Sequence, residues 1–406
     1  MNNTDTAQID FTGNVSGNEP DSGSQNFTLT FSKTAEVDTV VTVTFSTFDG
    51  VGSTGATTGD GDYTPQAGNA DLAGALTAST DVSVPVNGDS KNELNETCYV
   101  RFTAISAGGR EAYLSFPSGT AETAKVLILN EDSCLVFFAS SVSINEPNST
   151  STDILTYTIS LNNEAPGGGV TLDFTTVDGT ATAGNSDYVA TTGALNYTGT
   201  TGEQRTASVT ATGDNIVELD ENFILRLKNL QAPGRLSGGI VLFSGLADSL
   251  DAIGTLVNTD SAHLFINAET RNFEGDSTVP VTWRNFGFWV TLDAEVDVPV
   301  TVNVATSNGP IAPDTLDIAT VASGDYDSSV KNPSGSTITS LLFSGTPVGE
   351  VETLNVRVKQ DRMEETHEAF RVNLGAISAT GREVYITYTR ANGQGSVLDD
   401  DVDTDR

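Results

Sequence analysis

Short alternating stretches of apolar and polar residues dominate this chain. In FTLTFS (27–32), Phe27, Leu29 and Phe31 fall on one side, with threonine and serine on the other. ILTYTISL (154–161) does the same with Leu155, Tyr157, Ile159 and Leu161. A period of two with one apolar face marks a half-buried strand, because successive side chains point to opposite faces of a sheet. No stretch sustains a long 3.6-residue apolar period, so the pattern predicts an all-β protein. Many short strands separated by glycine-rich turns favour a sandwich over a barrel.

The pattern also repeats on the scale of a domain. VTVTFSTFDG begins at 41, VTLDFTTVDG at 170 and VTVNVATSNG at 300. Each is followed by a Gly/Ala/Thr-rich loop that closes on Asp62-Tyr63, Asp187-Tyr188 or Asp325-Tyr326. A repeat this long is a whole domain rather than a solenoid turn. It predicts three tandem antiparallel β-sandwiches, at 1–133, 134–261 and 262–406. A second phrase recurs near each domain end: ISAGGREAYLSF (105–116), LQAPGRLSGGIVLF (230–243) and ISATGREVYITY (377–388). The second copy extends it with GLADSLDAIG (245–254), which reads as a surface loop. No Gly/Ser- or Pro-rich linker separates the copies, so the expected shape is a stiff, elongated rod. Strands of a dozen residues would make each unit about 40–50 Å long.

Composition agrees with strands and turns. The 406 residues are 37% hydrophobic and include 39 glycines, alongside abundant Thr, Ser, Asn and Asp. Charge adds more. With 54 acidic and 19 basic residues the formal net charge is -35, which repels nucleic acid and anionic membrane. Acidity of this size keeps a secreted protein soluble, and it also suits a calcium-bearing environment. No apolar run reaches the length of a membrane span, so membrane insertion is not expected. MNNTDTAQIDF lacks both the basic start and the apolar core of a signal peptide. Two cysteines and two histidines, His263 and His367, fit no zinc pattern.

The acids are not spread evenly; four acidic segments recur in all three copies. The first is a glutamate in a turn near each start: Glu19, Glu146 and Glu274. Next comes the aspartate of the Asp-Tyr pair: Asp62, Asp187 and Asp325. The third is a turn between two strands, carrying Asp89, Glu93 and Glu96, then Asp214, Glu218 and Glu221, then Asp361, Glu365 and Glu368. The last is the domain terminus: Glu131 and Asp132, then Asp260, then Asp399, Asp400 and Asp401. Strands that run up and down a sandwich can bring all four segments to one end. Two unit charges 4 Å apart repel by about 1 kcal/mol in water and several times more where water is scarce. Such a cluster calls for a cation. Many hard oxygen ligands without His or Cys select Ca²⁺ over zinc or copper, and Mg²⁺ uses fewer carboxylates.

VDGTATAGNSDY, GDNIVELDENFILRL and the terminal N-x-D resemble the Calx-β domain, and the likeness covers nearly the whole chain three times. The resemblance implies a seven-stranded immunoglobulin-like sandwich that, where it binds Ca²⁺, draws its ligands from the same four segments. The copies depart from one another. Thr259 stands where Glu131 and Asp400 stand, His367 stands where Asp220 stands, and Arg362 enters the third turn. CYVRF (98–102) replaces the FILRL-like strand in the first copy.

Three smaller signals remain. Cys98 and Cys134 each follow a candidate ligand by two residues, so they either form a disulfide between the first two domains or stay unpaired, with Cys98 filling the core slot of Phe223 and Phe370. Trp283 and Trp289 take the parity opposite to Phe286, Phe288, Val290 and Leu292, which reads as an outward interface surface unless a bulge turns Trp289 inward. No nucleophile motif, phosphate loop or isolated acid/base pair is present, so an enzyme is not expected. Together these features predict an extracellular calcium-binding structural or adhesive protein. It would be the self-associating subunit of a surface filament, joined by strand addition at a sheet edge, or part of a longer adhesin that contacts other surface proteins or glycans. A soluble calcium sensor and a carbohydrate-active enzyme are the readings from other classes.

Overall fold

A computed structural model describes residues 5–115, 123–165, 169–232, 240–277 and 282–401. The alternating stretches become strands arranged as three pairs of sheets, each pair closing on one apolar core. In the first unit a four-stranded sheet runs in the order Ser79–Gly88, Gly23–Lys33, Ala7–Phe11, Ala112–Leu114. It faces a five-stranded sheet ordered Val15–Asn18, Thr123–Leu129, Glu96–Ser106, Val41–Phe48, Ala67–Leu72. The second unit repeats both orders with Gln204–Thr212 at one edge and Thr192–Tyr197 at another. The third repeats them with Glu350–Gln360 and Ser340–Phe343. In each unit the opening segment breaks in two, and the chain crosses from one sheet to the other before the acidic turn. Thus Ala7–Phe11 pairs with Gly23–Lys33, while Val15–Asn18 pairs with Thr123–Leu129. Phe27, Leu29 and Phe31 are buried as their alternation predicts. Each such side chain contributes about 1.5–3 kcal/mol by leaving water.

Strand Thr282–Leu292 pairs with Glu350–Gln360 in unbroken register, so no bulge turns Trp289 inward. Trp283 and Trp289 both lie on the outer face, with the Arg357 guanidinium 5.3 Å from the Trp283 ring centre. The stretch 245–254 departs from the surface-loop expectation. Its second half belongs to strand Leu250–Val257, paired along Glu221–Gln231, and Ala252 and Leu256 are buried there. Gly254 lies inside that strand, and packing requires a glycine there. A Cβ on it would stand 2.7 Å from the Phe223 ring and 2.1 Å from the Tyr157 hydroxyl. The middle of LQAPGRLSGGIVLF lies outside the described residues, as do 1–4 and 402–406.

The same packing overturns the disulfide. Cys98 and Cys134 are both free and buried, and they sit in two different cores. Cys98 pairs with Val126 across the sheet, at the place where Phe223 meets Gly254 and Phe370 meets Gly395. A large ring over a glycine in two copies is a small thiol over a valine in the first, which conserves volume. Cys134 donates to the Asn163 carbonyl at 3.0 Å. Burial pushes the two thiols up, to about 12 and about 11. Neither thiol is expected to react with an aromatic disulfide reagent until the protein unfolds, when two equivalents are released. Immediate reaction in native buffer would contradict this burial.

Candidate metal centres

The loop that delivers each Asp-Tyr pair is built the same way three times. The tyrosine enters the core, and Tyr63, Tyr188 and Tyr326 are all buried. Their hydroxyls donate to Asp49 (2.7 Å), Asp178 (2.5 Å) and Asn308 (2.6 Å), at the turn that ends the repeated strand. One oxygen of the neighbouring aspartate accepts a backbone N–H across the loop: Asp62 from Thr57 (2.6 Å), Asp187 from Thr182 (2.6 Å) and Asp325 from Thr320 (2.7 Å). The aspartate is therefore held from two sides before any ligand arrives. The tyrosine lock was not read from the sequence, although the shared Asp-Tyr spelling carries it.

The acidic turn is fixed similarly. Asp89, Asp214 and Asp361 each accept the backbone N–H two residues on, at 2.7, 2.7 and 2.9 Å. Gly88 and Gly213 precede the first two, and a Cβ there would stand 1.6 Å from the Pro20 carbonyl oxygen and 1.4 Å from that of Pro147. The two turns thus press backbone against backbone. In the third unit the roles reverse. Gln360 takes the glycine position and Gly275 the proline position, with φ +89° and only 2.6 Å between a would-be Cβ and the Gln360 amide.

These turns assemble two kinds of carboxylate group at one end of the units. One joins the Asp-Tyr aspartate to the two glutamates of the acidic turn. Ligand atoms of Asp62, Glu93 and Glu96 lie within 4.8 Å of one another, as do those of Asp325, Glu365 and Glu368. In the second unit Glu221 lies against Asp187, with Glu218 beside both. The other group joins the first glutamate to the terminal acids, with the turn aspartate added in the second unit: Glu146, Asp214 and Asp260, and Glu274, Asp399 and Asp401. In the first unit Glu19 is close to Asp89 and Glu131, and Asp132 to Asp89. Asp361 is near Glu274 but is held by Lys359 at 2.6 Å, and Lys91 holds Glu93. A lysine thus neutralises part of the first and third clusters, whereas Ile216 stands at the position of Lys91 in the second. Asp400 accepts the Gly275 N–H at 3.0 Å, as the Asp-Tyr aspartates accept a loop N–H, and it lies close to Asp401.

Burial, and then neighbouring carboxylates, raise these acids far above the ordinary 4.5 of a glutamate. Glu19, Glu218 and Glu274 are pushed up to about 8 and Glu146 to about 7. Glu96, Glu221 and Glu368 are raised for the same reasons, each sharing a hydrogen bond with the Asp-Tyr aspartate of its unit. Two carboxylates can share such a bond only while one holds a proton. Moreover, five carboxylate oxygens are buried without a hydrogen-bond partner among the described residues: both of Glu131 and one each of Asp260, Glu274 and Asp401. An unpaired buried anion is costly, and an oxygen-ligated divalent cation removes that cost. The donor set therefore fits Ca²⁺.

The structure adds acids that the sequence reading missed. Asp21 lies near Glu131 and Asp132, and Asp276 hydrogen-bonds Asp401. The phrases EPDS, EPNS and EGDS at 19–22, 146–149 and 274–277 carried that signal. Asp297 comes from the third unit and lies close enough to act on Glu218 and Glu221 of the second. The clusters sit at the junctions. Asn92 donates to the carbonyls of Glu164 (3.0 Å) and Ile240 (3.1 Å) and accepts the Ile240 N–H at 3.1 Å. Its counterpart Val217 is wholly buried and belongs to the core of the third unit. Ile216–Val217 pairs in parallel with Glu295–Val296.

Among solved structures, CBD12 from CALX1.2 is 17% identical, with a TM-score of 0.28, covering 61% of this chain and 99% of its own. The apo-form Calx CBD1 domain is 17% identical, with a TM-score of 0.25, covering 32% of this chain and 100% of its own. The CupB6 tip adhesin from Pseudomonas aeruginosa is 11% identical, with a TM-score of 0.31, covering 65% of this chain and 98% of its own. Comparison with curated protein sequences gives no match. The profile of the Calx-beta domain matches residues 8–132, 134–243 and 336–401. These segments make up well over half the chain, which therefore belongs to the Calx-beta domain family.

Proposed function

We propose that this chain is an extracellular calcium-binding structural protein, the self-assembling subunit of a surface filament or matrix. The five buried, unpartnered carboxylate oxygens support calcium binding most directly. Bound Ca²⁺ would supply positive charge at the two carboxylate groups of each unit, whose oxygens would be its ligands. Glu19, Asp62, Asp89, Glu93, Glu96, Glu131 and Asp132 would hold it in the first unit. In the second the ligands would be Glu146, Asp187, Asp214, Glu218, Glu221 and Asp260. Glu274, Asp325, Asp361, Glu365, Glu368, Asp399, Asp400 and Asp401 would serve in the third. Because Asn92 and Val217 plug into the following unit beside these groups, neutralised clusters favour a stiff rod, as a structural element needs. The exposed Trp283 and Trp289 give the third unit a surface for contact with another molecule.

Calorimetric titration of chelator-treated protein with CaCl₂ tests the metal. Binding is expected in the wild type and at least ten-fold weaker binding at the affected site in Glu274→Gln or Glu218→Gln. Electron microscopy tests the polymer: filaments that dissolve on chelation support it, and single particles with and without calcium sink it.

A further inference from the structure

The junction between the second and third units shows how one of these domains receives another. The receiving face of the third unit carries Glu295, Val296, Asp297 and Arg382. Arg382 grips Asp297 with Nε and Nη2, and the pair faces Glu218 of the second unit. The first unit carries the same device. Arg110 grips Asp38 with Nε at 2.5 Å and Nη2 at 2.8 Å, beside Val37 and Glu36. The backbone around both pairs matches: Arg110 also donates to the Gly108 carbonyl at 2.7 Å, and Arg382 to that of Thr380 at 3.0 Å. Among the described residues, covering distinguishes them. Side-chain exposure is 12% for Arg382 and 28% for Asp297, against 44% for Arg110 and 71% for Asp38. An open cleft of about 270 Å³ lies over the first unit's pair, where the third unit holds its neighbour's turn.

The third unit ends in the matching plug. Its turn Met363-Glu364-Glu365 corresponds in sequence to Ile216-Val217-Glu218 and to Lys91-Asn92-Glu93. Met363 is 60% exposed. A polar plug is compatible with this kind of face, since Asn92 accepts the Ile240 N–H in the first junction. The backbone N–H at the corresponding position of the first unit is that of Glu111, next to Arg110. Resting on the filament reading, we propose that the open Asp38–Arg110 face takes the Met363-Glu364-Glu365 turn of a second copy. This joins copies head to tail through a third junction of the kind seen twice within the chain. Arg110 then faces Glu364 and Glu365, as Arg382 faces Glu218, and calcium screens the remaining acids.

Charge reversal tests this in millimolar CaCl₂, by light scattering after size exclusion and by electron microscopy. Wild type is expected to form open-ended, concentration-dependent chains. Arg110→Glu alone sets glutamate against Glu364, and Glu364→Arg alone sets arginine against Arg110, so each assembles at least ten-fold less readily. An equimolar mixture of the two restores assembly, because both of its junctions are complementary. A misfolded variant would not be rescued in that way. If the single variants assemble like wild type, the face is wrong while the filament reading stands. If wild type forms only closed dimers, head-to-tail joining is overturned. If wild type stays monomeric at every concentration, both fall.

Discussion

At pH 8, removing calcium is expected to lower the melting temperature by about 10 °C for each independent site filled at 100 times its Kd, and at pH 5 by much less. Such a site adds about 2.7 kcal/mol, and in domains of this size 1 kcal/mol moves the midpoint by roughly 3–5 °C. The pH dependence follows from the raised carboxylates. Glu19, Glu218 and Glu274 titrate near 8 and Glu146 near 7 in the metal-free fold, against 4.5 in the unfolded chain. Between those values the fold holds protons that the unfolded chain has released. Stability from these groups is therefore complete below about pH 4.5 and is lost as pH rises through about 8. Calcium displaces the same protons, so it binds more tightly as pH rises. Scanning calorimetry in chelator and in CaCl₂ at the two pH values measures both effects. A chelated protein as stable at pH 8 as at pH 5 would contradict the assignment.

Val217→Asp is expected to unlatch the second unit from the third. Val217 is wholly buried in a core to which the rest of its own unit does not belong, and its carbonyl accepts the Asp297 N–H at 3.3 Å. The substitution would place a carboxylate in an apolar slot beside Glu218, Glu221 and Asp297, at a cost of about 3 kcal/mol or more if the slot stayed closed. Opening the junction is the cheaper response, because Val217 projects from a turn of the second unit and neither sandwich needs to unfold. Expected results are a broadened small-angle scattering profile and new protease cleavage between residues 258 and 262, with both cores still melting cooperatively. Val217→Ala should do less, since it removes methyl groups without adding charge. A scattering profile identical to wild type would refute the latch.

The strands were legible because one-sided burial writes a period of two, as in Phe27, Leu29 and Phe31. The carboxylate groups were legible because three copies spell them in register. What stayed hidden depended on residues distant along the chain. Cys98 reads as a disulfide candidate until its cross-strand partner Val126 is known. The stretch that ends in Gly254 reads as a surface loop until Phe223 is found over that glycine. Asp297 could not be found from the repeat, because it acts on the neighbouring domain's cluster rather than on its own.

The paired exchange of ring and glycine for thiol and valine also bears on how such a gene can change. Whole domains can be duplicated or swapped, because each carries both members of the pair. A crossover between the first copy and either other one separates them if it falls between the two strands. Phe370 opposite a valine would collide, since even a Cβ on Gly395 would stand 2.2 Å from its ring. Cys98 opposite a glycine would leave a void. Recombinants with breakpoints between the two strands should therefore be recovered rarely, and those with breakpoints at the domain borders freely.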